Sequence, residues 1–155
     1  ETQRAMGLAE TAVEDLGDSP PWVLQGYGLL SADVLQLCGE GQRATKVATE
    51  TLRGLGLNPL SVAYTGTVAR WVAVTSVAKS DHEQGLDILR GTLLGIDDLD
   101  LIDQVEVLAA IGWMERSIGT GDPAQAAELN AKLSALPPAV PGQLRRLGMS
   151  VQEPW

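Results

Sequence analysis

At 155 residues the chain has the length of one domain, and a fold of that size buries roughly 68–70% of the surface its unfolded chain exposes. Hydrophobic residues make up 45% and charged residues 20%, too apolar a balance for a disordered chain. Eleven basic residues against 20 acidic ones leave a net charge of −9, which argues against direct nucleic-acid contact and against an anionic membrane surface, since both need clustered cations.

The apolar spacing predicts an all-α chain. The sequence has no Phe, four Trp and two Tyr, so the core must be built from Leu, Val, Ala and Ile. From Thr2 to Gly17, residues Ala5, Leu8, Ala9, Ala12, Val13 and Leu16 fall on one helix face. Gly17-Asp18-Ser19-Pro20-Pro21 breaks that run with a C-terminal Gly and prolines beyond it. A second helix is expected from Pro21 to Cys38, and a third from Gln42 to Leu55, stopped by Gly56-Leu57-Asn58-Pro59.

The stretch from Pro59 to Lys79 is rich in Val and Thr, which taken alone favours a strand. Its length without a turn signal exceeds an ordinary strand and fits a helix. Ser80-Asp81 caps a helix over His82 to Ile96, and Asp97-Asp98-Leu99-Asp100 connects it to a helix over Leu99 to Ile118. Gly119-Thr120-Gly121-Asp122-Pro123 is a stop and restart, with Asp122 as N-cap and Pro123 at the first helical position. The last strong helix runs from Ala124 to Leu136. Pro137-Pro138 ends it, and Gln143 to Met149 is read as a short helical turn before a tail.

Three turns align at a constant spacing of 41 residues: Gly39-Glu40-Gly41-Gln42-Arg43-Ala44, Ser80-Asp81-His82-Glu83-Gln84-Gly85 and Gly121-Asp122-Pro123-Ala124-Gln125-Ala126. Each has a small residue, an acid, three mostly polar positions, and a small residue opening the next apolar run. Gly39, Ser80 and Gly121 are read as ending first helices, with Ala44, Gly85 and Ala126 near the start of second ones. A fixed period of this size is the mark of stacked helical hairpins. The expected organisation is a single domain over 1–138, with a leading helix at 2–17, helix pairs at 18–56, 57–97 and 98–138, and a short helical turn and tail at 139–155.

The runs Leu37-Cys38-Gly39-Glu40-Gly41-Gln42-Arg43-Ala44 and Ile118-Gly119-Thr120-Gly121-Asp122-Pro123-Ala124-Gln125-Ala126 resemble tetratricopeptide repeats, in which a small residue opens the second helix and a Pro often closes the unit. The period here is longer than the family's roughly 34 residues. The pattern is similar to the divergent repeats of large bacterial transcriptional regulators. The resemblance implies a right-handed helical-hairpin solenoid of about seven main helices that receives an effector or holds a partner.

Residues capable of chemistry are sparse and scattered. Asp97, Asp98, Asp100 and Asp103 are the densest acidic group; their spacing matches no cation-binding loop, and helix N-terminus acids account for them. His82 is the only histidine and falls in a helix first turn, so no zinc set is expected. Cys38 is the only cysteine, is read as a small buried hydrophobe, and rules out an intramolecular disulfide. Gly26-Tyr27-Gly28 lacks the strand and third glycine of a dinucleotide loop, and those glycines suit close helix approach.

Tyr64, Trp71 and Trp113 fall on the first helices of their pairs. They form either the wall of a ligand or partner groove or plain core packing. With no catalytic, cofactor or metal residues to name, the expectation is a non-enzymatic, cytoplasmic interaction module. Its partner is a protein or peptide, and a small-molecule effector is the alternative; a helical enzyme with an acidic metal site is a distant third. The chain starts at Glu1 and enters a helical pattern at once, which reads as a segment of a longer regulatory protein. No window is long and apolar enough to cross a membrane.

Overall fold

A computed structural model describes residues 2–14, 21–53 and 65–137. Among these the chain is all-helical and contains no strand. Seven α-helices are α1 (Thr2–Glu14), α2 (Pro21–Leu37), α3 (Gly41–Arg53), α4 (Thr65–Lys79), α5 (His82–Thr92), α6 (Leu101–Ser117) and α7 (Pro123–Ala135), with a 3-10 segment at Leu93–Asp98. Of the Val- and Thr-rich stretch, residues 59–64 lie outside the described residues, and residues 65–79 form α4, where Thr65, Val68, Val72 and Thr75 are buried. Thr75 there satisfies its hydroxyl by donating to the Trp71 carbonyl at 2.8 Å. The helices group into two compact units, Glu1–Asn58 and Pro59–Trp155.

In the first unit α2 packs against both α1 and α3. The buried stripe of α3 is Ala44, Ala48 and Leu52, one residue per turn along a single ridge, and its alanines let α2 come close. The approach is close at Gly28, where a Cβ would collide with the Thr51 side chain. Leu29, Ala32 and Leu35 complete the α2 face. The opposite side of α2 is also apolar, leaving Tyr27, Leu30 and Leu37 exposed.

In the second unit α4 packs on α5 and α6, and α6 packs on α5 and α7. Directions follow from paired residues. Gly66 of α4 meets Asp103 of α6, and one turn further along each helix Arg70 meets Glu106, so α4 and α6 run parallel. Gly85, early in α5, lies against Ser76, late in α4, and Lys132, late in α7, reaches Gln104, early in α6; both pairs are antiparallel. The core is drawn from Val68, Trp71 and Val72 of α4, Leu86 and Leu89 of α5, Val105, Leu108, Ile111 and Met114 of α6, and Leu129 of α7.

The three hairpin turns share one hydrogen-bond pattern. Gly39 N–H donates to Gln36 and Glu40 N–H to Leu35; Ser80 N–H to Val77 and Asp81 N–H to Ser76; Gly119 N–H to Arg116 and Thr120 N–H to Glu115. Each is a Schellman ending, in which a residue in the left-handed region lets two amides satisfy the last carbonyls. Those residues are Gly39 (φ 84), Ser80 (φ 58) and Gly119 (φ 74).

The third corrects the sequence alignment, because Gly119 and not Gly121 ends α6. Thr120 and Gly121 are extra loop residues there, whereas in the first two turns the second amide donor itself leads into the next helix. What stays at 41 residues is the start of each second helix. The carbonyls of Glu40, Asp81 and Asp122 accept the first helical bonds from Ala44, Gly85 and Ala126, and those three small residues are buried.

Ser80 holds a conformation that costs a non-glycine residue about 1–2 kcal/mol. It is exposed, so a Gly there loses no packing. Ser80→Gly is expected to raise stability by roughly 1 kcal/mol, read from the midpoint of urea unfolding. An unchanged or lowered midpoint would show that the turn carries no such strain.

Two further helix ends differ from the sequence expectation. The run expected to continue to Ile96 passes from α-helix into a 3-10 segment after Thr92, and inside that segment Gly95 (φ −127, ψ 19) is non-helical. Asp100 is the cap of α6, its carboxylate accepting from Ile102 N–H and Asp103 N–H at 2.9 Å each. Asp122 caps α7 as expected, accepting from Ala124 N–H at 2.8 Å with Pro123 at the first position. No helix among the described residues is long and apolar enough to cross a membrane. The expected turn at Gln143–Met149 and the tail lie outside the described residues.

Candidate functional site

One group of polar side chains that the fold brings together inside the second unit lies along the seam between α4 and α6. Arg70 is 1% exposed and Glu106 5% exposed, and Arg70 Nε donates to Glu106 Oε1 at 3.4 Å. The Arg70 guanidinium also stands 5.6 Å from the centre of the Trp71 ring, within cation–π range. One turn back, Asp103 Oδ1 accepts the Gly66 N–H at 2.9 Å. The two carboxylates are three residues apart on α6, so both face α4.

Gly66 is the residue that lets them close in. A Cβ there would stand 2.5 Å from Glu106 Oε2, 2.6 Å from Asp103 Oδ1 and 2.8 Å from the Asp103 Cα. Backbone as well as side chain occupies that space. Asp103, itself in the first turn of α6, therefore serves α4 as well: it satisfies an amide in the first turn of the neighbouring helix, where the helix dipole favours negative charge.

Burial, the largest influence, raises the Asp103 carboxyl above its ordinary range; the Gly66 amide pulls it back and the charge of Asp100 pushes it up again. A carboxyl whose folded pKa is raised binds its proton more tightly when folded than when unfolded. Its contribution to stability is full at acid pH and is lost as pH rises through the folded value. Asp103→Asn keeps an oxygen for the Gly66 amide and removes the titration. At neutral pH this variant is expected to be as stable as the parent or slightly more so, and to lack the parent's decline in this pH window. Urea unfolding of both proteins across the acid range checks it, and a clear loss of stability at neutral pH would refute it.

A further buried carboxylate lies between α5 and α6. Glu115 Oε1 accepts from Arg90 Nη2 at 2.9 Å, and the Arg90 side chain is half exposed. Glu115 Oε2 is buried with no hydrogen-bond partner.

The residues singled out in the sequence are dispersed by the fold. Trp71 is 0% exposed and belongs to the core of the second unit. Trp113 is half-buried on α6, and Tyr64 lies outside the described residues. Of the acidic group, Asp97 and Asp98 are exposed in the 3-10 segment, Asp100 caps α6, and Asp103 alone turns inward. Among the described residues no three His, Cys, Asp or Glu side chains converge to hold a metal ion. His82 begins α5, and Cys38 is a free, half-buried thiol, more open than its apolar neighbours suggested.

Sequence reasoning missed Arg70 and Glu106. The signal was present: each is a lone charge inside an apolar run, Val68-Ala69-Arg70-Trp71-Val72 and Val105-Glu106-Val107-Leu108. An isolated charge in such a run calls for a partner of opposite sign on a facing helix. Chemically, the seam is organised for packing. Its carboxylates are engaged by a backbone amide and a guanidinium, and nothing in the arrangement positions a nucleophile against a base. No protein-family model, curated protein or solved structure matches the chain.

Proposed function

We propose that the chain is a non-catalytic helical-hairpin repeat module, tetratricopeptide-repeat-like in architecture, that mediates protein–protein interaction within a larger bacterial regulatory protein of the cytoplasm. The observation that supports this reading is the recurrence of one hairpin. Second helices begin at 41-residue intervals, each behind a Schellman ending, and the successive first helices α4 and α6 lie side by side and parallel. Repetition of that step builds a right-handed solenoid, whose extended surface suits recognition of another chain. The buried charges of the second unit support the same reading, because Arg70 and Glu106 are spent on each other.

The test has two arms. The tagged chain captures proteins from source cells, and each captured candidate is purified and titrated against the chain by calorimetry. Saturable binding by a purified protein, with slowed hydrogen exchange on a continuous set of first-helix residues, is the expected result. In the other arm, native mass spectrometry is run on chain isolated from the same cells. A retained small molecule with no protein partner would replace this reading with the effector-sensing one, and turnover of a captured ligand would overturn the non-catalytic assignment.

A further inference from the structure

We draw no further inference here: the strongest candidate, the outward apolar stripe of α2 carrying Tyr27, Leu30 and Leu37, is an unpartnered helix face, and nothing in the structure shows what covers it.

Discussion

Glu106→Leu on its own is expected to lower the stability of the Pro59–Trp155 unit by about 3–5 kcal/mol, and the double variant Arg70→Met with Glu106→Leu to recover most of that loss. The reasoning starts from desolvation. Arg70 and Glu106 are both nearly inaccessible to water, so each has given up its hydration and has the other as an opposing charge. Removing the carboxylate leaves a guanidinium in the interior without it, at a cost beyond that of the lost hydrogen bond. Removing both charges and filling the volume with aliphatic groups abolishes the desolvation cost as well, and buried pairs exchanged in this way often break even. Urea unfolding of the two single variants and the double variant forms a thermodynamic cycle. A single-variant cost below about 1 kcal/mol would show that water reaches the seam.

Trp71→Ala is expected to cost a similar amount, about 3–5 kcal/mol, because the ring is wholly enclosed and the space it leaves is too deep to collapse. Trp113, half-buried on α6, gives the comparison: its truncation removes less enclosed surface and is expected to cost clearly less. The two substitutions separate the readings open for these aromatics. A core residue lowers stability when truncated, whereas a groove residue lowers binding and leaves the unfolding midpoint nearly unchanged. If Trp71→Ala unfolds at the same urea concentration as the parent, the core assignment of Trp71 is wrong.

Helix content was legible in the sequence because the apolar spacing repeats for many turns, and Asp122-Pro123 marks a start as plainly as any pair can. The α4 assignment was harder. Its composition favours a strand, and only length argued otherwise; burial on both the α5 and α6 sides explains why so many β-branched residues are tolerated. The α6 helix was expected to stop at Ile118, as it does, but the 41-residue register put the turn residue two positions late. Gly119 and Gly121 are equally good candidates for a left-handed turn, and only the backbone bonds of Gly119 and Thr120 distinguish them.

The seam escaped notice for a different reason. Asp103 sits among acids that look alike in one dimension, and the amide it serves lies 37 residues away. Gly66, likewise, gives no local sign that a carboxylate and a backbone will press against it. Pairings of this kind are set by which helix lies beside which, and period alone does not determine them.

The bond that the Gly66 amide donates to Asp103 bears on how the chain is made. During synthesis α4 and α5 are made before α6, so for a time the growing chain contains Arg70 while Glu106 is still untranslated. The α4–α5 hairpin is completed by residues that belong to the following hairpin, and it gains its full stability only when Asp103 and Glu106 have emerged. A chain cut after α5 therefore forfeits more than the contacts of the helices removed, since it also strips the earlier hairpin of a cap and a counter-charge.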